Sequence, residues 1–213
     1  MLDIWEKIES QQVIPSQRAT QPLALKVTLL PFQLEGLDWL VNQEESIYNG
    51  GILADEMGMG KTIQMISLMI VNQYDKPTLI ICPTVAMMQW VKEIETRVTP
   101  GIFKVLLLHG NTRPTSKKEI KEYNVILTSY AIIEQGFRKQ YYGVKRKGEN
   151  VKMDSLIHSV EWGRVILDEA HAIKDRSCST ARAVFALKRE KQWSMSGTPL
   201  QNRVGEVILL LIF

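Results

Sequence analysis

The chain has 213 residues, 45% hydrophobic and 23% charged, with a formal net charge of +3. That length bounds it at one large domain or, less readily, two small ones, and so small a charge permits a nucleic-acid partner without arguing for one. Two cysteines, Cys82 and Cys178, cannot build a zinc site alone, no run approaches the ~18–20 apolar residues that span a bilayer, and Met1-Leu2-Asp3-Ile4 lacks the basic start of a secretory signal. A soluble, intracellular protein with reduced thiols is expected.

In chain order, a short amphipathic helix is predicted over 2–12, then a loop around 15–22. Pro31 introduces a helix over 32–43. A short buried strand at 51–54 and an apolar-rich helix over 62–74 follow. Strand and helix then alternate, with strand 78–82, helix 85–98, strands 105–109 and 123–128 and helix 131–138. Strand 163–167, helix 180–187 and strand 192–195 complete the series. That alternation predicts an α/β fold, a doubly wound, mostly parallel sheet with helices on both faces. No internal repeat or low-complexity segment interrupts it.

Two motifs carry the chemistry. Between strand 51–54 and the next helix stands Asp55-Glu56-Met57-Gly58-Met59-Gly60-Lys61-Thr62. Gly58 and Gly60 let the backbone turn tightly and aim its N–H groups at phosphate oxygens, and the following helix adds its unpaired donors and dipole. Lys61 supplies charge for the terminal phosphates, and the Thr62 hydroxyl can ligate magnesium. The strict pattern has glycine where this chain has Asp55, so an ordinary strand–turn–helix corner is the alternative. Met57 and Met59 read as fillers that let the loop close.

The second motif, Asp168-Glu169-Ala170-His171, follows the aliphatic run Arg164-Val165-Ile166-Leu167. At the carboxyl end of a central parallel strand, Asp168 would meet the magnesium held by Thr62, and Glu169 would orient or deprotonate a water. A solvated acidic pair at a helix start is the bland alternative. Together the two motifs predict that the chain binds, and helps hydrolyse, a nucleoside triphosphate.

One stretch breaks the rhythm. From Phe137 to Lys152 there are six basic residues (Arg138, Lys139, Lys145, Arg146, Lys147, Lys152) against the single acid Glu149, with Tyr141 and Tyr142 among them. A basic loop carrying aromatics can contact a phosphate backbone, though a charge run is as readily a wet surface.

Further strings carry a resemblance. Leu30-Pro31-Phe32-Gln33 with Gly36 and Trp39-Leu40 resembles the adenine-recognising segment of superfamily-two helicases. Ile81-Cys82-Pro83-Thr84 with Gln89-Trp90 resembles their first DNA-strand-contacting motif, and Leu127-Thr128-Ser129-Tyr130 the next one. Ser196-Gly197-Thr198-Pro199-Leu200-Gln201-Asn202 resembles the motif that couples nucleotide state to nucleic acid. In this order they are similar to the SWI/SNF-like, helicase-related ATPases over 29–213, after an N-terminal extension at 1–28. Leu30-Pro31-Phe32-Gln33, Gln43-Glu44-Glu45-Ser46 and Phe137-Arg138-Lys139-Gln140 look closest to the fungal Rad-type translocases of nucleotide excision repair.

The resemblance implies a RecA-like P-loop NTPase lobe, the first of the two such motors need, with a basic insertion over about 137–160. It implies ATP and magnesium as cofactors, double-stranded DNA and repair or chromatin proteins as partners, and a nuclear location. By resemblance Gln33 would contact adenine, Thr84 and Thr128 the DNA backbone, and His171, Ser196 and Thr198 would relay its presence. Read bottom-up, His171 is as readily a structural residue and Trp90 reads first as core packing. Leu30 departs from the arginine often found there.

The second lobe is expected to be missing from this chain, and its arginines can be worth ~10³–10⁵ in rate. The isolated chain is therefore expected to bind Mg-ATP weakly and to hydrolyse it slowly or not at all. The apolar run at 208–213 suggests an exposed patch. A non-catalytic module competing for DNA or a partner is the alternative of a different class. An RNA helicase or unrelated P-loop enzyme fits the Ser-Gly-Thr-Pro-Leu-Gln-Asn string and the Gln89-Trp90 pair less well.

Overall fold

The computed structural model describes residues 17–110, 114, 116–146, 149–173 and 178–197. The expected helix over 2–12, Lys147, Thr198 and the apolar run at 208–213 lie outside them. The described elements are α1 (Pro31–Glu45), β1 (Gly50–Leu53), α2 (Lys61–Val71), β2 (Thr78–Cys82), α3 (Thr84–Arg97), β3 (Val105–Leu108) and α4 (Lys117–Ile120). They continue with β4 (Val125–Ser129), α5 (Tyr130–Tyr141), β5 (Val144–Arg146), β6 (Glu149–Val151), α6 (Leu156–Ser159), β7 (Glu161–Leu167), α7 (Ser179–Phe185) and β8 (Lys188–Met195). A single 3₁₀ turn, Ala170–Ala172, follows β7.

Six strands form one parallel sheet in the order β1-β8-β7-β2-β4-β3. β2 and β4 are buried at every position, as strands covered on both faces must be. Successive residues of a strand point to opposite faces. On β7, Val165 and Leu167 therefore join Ile133, Phe137 and Val184 of α5 and α7, while Ile166 joins Leu37, Ile66 and Trp90 of α1, α2 and α3. This is the doubly wound, RecA-like arrangement expected from the alternation of elements.

The differences in detail have physical reasons. β8 starts at Lys188 instead of 192, because Lys188 and Arg189 pair with Glu161 and Trp162 of β7 while Lys188 and Glu190 keep their side chains in solvent. The basic stretch contains a two-stranded antiparallel hairpin, β5–β6, with Arg146 opposite Glu149. The described part of the N-terminal extension is a strap across α1 and the end of α3. Ala19 N–H donates to Leu34 O, Lys26 N–H to Arg97 O, and Ala24 O accepts from Thr99 N–H.

One buried polar cluster ties α1 to the sheet. Glu44, at the end of α1, is wholly buried and takes a bidentate pair from Arg164 of β7 (Nε to Oε1 2.5 Å, Nη2 to Oε2 2.7 Å). Trp193 Nε1, Asn72 Nδ2 and Tyr74 OH also donate to it, at 2.8, 3.1 and 3.0 Å. Burial alone would raise the Glu44 carboxyl. The hydrogen bonds and charge of Arg164, with Trp193 and Asn72, outweigh it and hold the group below its ordinary range.

Candidate active site

Parallel α/β sheets bind ligands outside the carboxyl ends of their strands, and both sequence motifs sit there. A cleft of about 570 Å³ opens between the loop after β1, the first turn of α2, the body of α3 and the corner after β7. Gln33, Gly58, Gly60, Lys61, Thr62, Asp168 and Glu169 all line it, so residues far apart in sequence converge as expected.

The loop is shaped for an anion. Gly58 and Gly60 have φ of 87° and 81°. Gly60 is the N-cap of α2 and offers no side-chain cap, so the first N–H groups of the helix are left for a ligand. Lys61 Nζ folds back onto the loop and donates to Asp55 O at 2.8 Å and Glu56 O at 3.0 Å. These neutral acceptors keep the ammonium at the mouth of the loop, where phosphate oxygens would be stronger partners. Asp55, where the strict pattern has glycine, accepts from Gln64 Nε2 of α2 at 2.8 Å, which explains the departure. Met57 and Met59 do not act as packed fillers: they stand 76% and 39% exposed, and Glu56 is also exposed.

Gln33 closes the other end. Its Oε1 accepts from Leu30 N–H at 3.0 Å, capping α1, and its Nε2 donates to Met59 O at 3.2 Å, fastening the helix to the phosphate loop. Leu30, 53% exposed, shares that wall with Val27, Thr28 and Leu29 of the strap.

The carboxylate corner is tightly held. Glu169 has φ of 50°, a left-handed conformation uncommon for a non-glycine residue and a source of local strain. Asp168 Oδ1 accepts Glu169 N–H at 2.9 Å, and Oδ2 accepts Trp90 Nε1–H at 2.7 Å. Tyr130 OH donates to Asp168 O at 2.8 Å. Burial raises the Asp168 carboxyl. Trp90 pulls it back, the Glu169 charge raises it again, and the net is upward. Burial, then the Asp168 charge, pushes the neighbouring Cys82 thiol up to about 12. Trp90 was expected as core packing; it is buried, yet its one polar atom is committed to the site. The Gln89-Trp90 pair was the only sequence signal for it.

The remaining candidates divide. Thr84 is exposed on the first turn of α3, whose N-cap Pro83 provides no side-chain cap. Thr128 is different: it is wholly buried and its hydroxyl donates to Leu108 O at 3.3 Å, so it does not offer that hydroxyl to a DNA backbone here. The reason is its place inside central strand β4. Lys145 and Arg146 lie on β5, in the hairpin and outside the cleft. His171 Nδ1 lies 3.1 Å from Glu169 Oε2, off the line of a hydrogen bond, and has no such partner among the described residues. Ser196 is buried and its N–H donates to Leu53 O, beside the start of the phosphate loop.

The donor set fits a nucleoside triphosphate with a divalent cation: a helix N-terminus and ammonium for the phosphates, a hydroxyl and a held carboxylate for the metal. Residues 32–213 match the SNF2-related domain. The ATP-dependent helicase rhp16 of Schizosaccharomyces pombe is 49% identical over 210 residues, 99% of this chain and 24% of its own. Helicase SWR1 of Kluyveromyces lactis is 35% identical over 231 residues, 98% of this chain and 13% of its own. The solved SWI2/SNF2 ATPase core of Sulfolobus solfataricus in complex with dsDNA superposes with a TM-score of 0.72 at 26% identity, over 92% of this chain and 37% of that one. The chain thus spans less than a quarter of the length of these two curated relatives.

Proposed function

Because the chain belongs to the SNF2-related family, we propose that it is the ATP-binding lobe of a DNA-dependent ATPase that moves along double-stranded DNA in repair or chromatin remodelling. The observation that carries this reading is the meeting of Lys61, Thr62 and Gln33 with Asp168 and Glu169 in one cleft. The resemblance of Leu30-Pro31-Phe32-Gln33 and Phe137-Arg138-Lys139-Gln140 to the fungal Rad-type translocases supports the repair side, nucleotide excision repair in particular, and with it a nuclear location. A second RecA-like lobe would cover the open side of the cleft and supply arginines to the phosphates.

The residues act as follows. Lys61 leaves the Asp55 and Glu56 carbonyls for the terminal phosphates, and the first N–H groups of α2 hold the oxygens beside it. Thr62 and Asp168 would hold magnesium, which when bound would supply positive charge against the phosphates. Glu169 accepts a hydrogen bond from the attacking water, orients it and takes its proton. Gln33 already joins the base-binding wall to the phosphate loop through Met59 O, so recognition of adenine there would be felt at the phosphates. Thr84, with Lys145, Arg146 and Lys147, would meet the DNA backbone. His171, Ser196 and Thr198 would relay its presence.

The test is calorimetric binding of Mg-ATP to the chain, followed by hydrolysis at low salt with and without duplex DNA, beside Lys61→Ala and Glu169→Gln. Binding is expected in the parent chain and weaker by roughly 10–150-fold in Lys61→Ala, the worth of one charge-assisted bond. Hydrolysis should be slow, stimulated by duplex if measurable, and absent in Glu169→Gln. If ATP does not bind, or binds equally with Lys61 removed, the cleft is not a nucleotide site.

A further inference from the structure

Trp90 makes a buried polar contact that core packing does not explain. It is 1% exposed on α3, among the largest fully buried side chains of the described residues. A buried indole N–H must find an acceptor. Trp162 solves this in the ordinary way, donating to the backbone at Ile157 O. Trp90 instead donates at 2.7 Å to a carboxylate oxygen of Asp168, which the Glu169 N–H pins at its other oxygen. The backbone of Asp168 is held as well, its N–H by Ile81 O and its carbonyl by Tyr130 OH. With both oxygens fixed, the carboxylate plane has one orientation, and each oxygen keeps a lone pair directed elsewhere.

We propose that Trp90 is a positioning residue: its indole N–H orients the Asp168 carboxylate for the divalent cation that accompanies the triphosphate. This rests on the reading of Asp168 as a cation ligand. Groups that orient a metal ligand typically govern 10–100-fold of metal affinity. The position also links two parts of the molecule. Trp90 lies on the helix whose first turn exposes Thr84, and Tyr130 opens α5, so the two side chains that hold Asp168 belong to the helices that follow β2 and β4.

The test reads metal binding without turnover. The parent chain, Trp90→Phe and Asp168→Asn are titrated with Mn²⁺ at saturating non-hydrolysable ATP analogue, bound metal being followed by electron paramagnetic resonance. Nucleotide affinity is measured separately in EDTA. Phenylalanine keeps an aromatic ring in the core and removes the donor, together with part of the indole's volume. Trp90→Phe is expected to raise the Mn²⁺ concentration that half-fills the site about 10-fold or more, with metal-free nucleotide affinity unchanged. Asp168→Asn should abolish specific metal binding. Loss in Asp168→Asn with parent-like Mn²⁺ affinity in Trp90→Phe would overturn the positioning role and leave the Asp168 reading intact. Parent-like affinity in Asp168→Asn would overturn both.

If Trp90→Phe does not fold, the indole N–H resonance of the ¹⁵N-labelled parent chain, assigned by through-bond experiments, decides. It should be protected from solvent exchange and should shift when Mg²⁺ joins the nucleotide. A freely exchanging resonance, or one blind to Mg²⁺, would overturn the proposal.

Discussion

Gly58 and Gly60 share the left-handed backbone of the phosphate loop but differ in what a side chain would meet. A Cβ at Gly58 has nothing within 4 Å, whereas one at Gly60 would come within 2.5 Å of Gln33 Nε2. An L-residue in this conformation costs about 1–2 kcal/mol. Gly58→Ala is therefore expected to lose roughly that much stability and to leave the base end untouched. Gly60→Ala adds a clash that pushes Gln33 off Met59 O, so its cost should be larger. It should also weaken discrimination between ATP and GTP. Urea melts of the two variants, with ATP and GTP competing for the site, check both parts. If Gly60→Ala still discriminates as the parent does, Gln33 is not the link between base and phosphate ends.

Among the elements, the Glu44 cluster joins the end of α1 to β7 and β8 and to the turn after α2. Removing the carboxylate leaves Arg164, 1% exposed, as an uncompensated buried charge. Glu44→Ala should cost about 3–5 kcal/mol, and pairing an apolar residue at 44 with Arg164→Met should recover much of it. Chemical denaturation of the single and double variants measures this. The pH dependence has a definite sign. The Glu44 carboxyl is held below its usual 4.5, so its contribution is complete above that pH and is lost as pH falls through the lowered value. His158 acts in an earlier window. Burial lowers it from 6.5, with the bond to Ala183 O opposing, because the ring sits between Ser155 Oγ (2.8 Å) and that carbonyl (3.0 Å). Its contribution is complete above 6.5 and erodes as pH falls toward the lowered value. Stability measured from pH 8 downward should thus begin to decline just below 6.5, and His158→Gln should remove that first decline while keeping the later one. An unchanged profile in His158→Gln would assign the early loss elsewhere.

At the scale of the whole molecule, what the sequence revealed was what local pattern can encode. The buried strand Thr78–Cys82 was legible at its observed bounds because a strand covered on both faces is a continuous apolar run. The glycine loop and the carboxylate corner stood out in the sequence because the chemistry proposed for them needs fixed residue types at short spacing. The Glu44–Arg164–Trp193 cluster was not, since its members stand 120 and 149 residues apart and each reads alone as an ordinary surface or core residue. The bond from Trp90 to Asp168 was hidden for the same reason, spanning 78 residues. Such separations also set what a ligand does to the fold. The cleft is walled by the strap at 27–30, the loop after β1, α3 and the corner after β7, so a bound nucleotide bridges segments far apart in sequence. A ligand present at a hundred times its dissociation constant and binding only the folded chain adds about 2.7 kcal/mol. For a chain of this size that is a rise in melting temperature of roughly 5–10 °C. Circular-dichroism melts should show that rise with Mg-ATP in the parent chain and a clearly smaller one in Lys61→Ala, whose cleft has lost its cation. An equal rise in Lys61→Ala would mean that ATP stabilises the chain from somewhere other than this cleft.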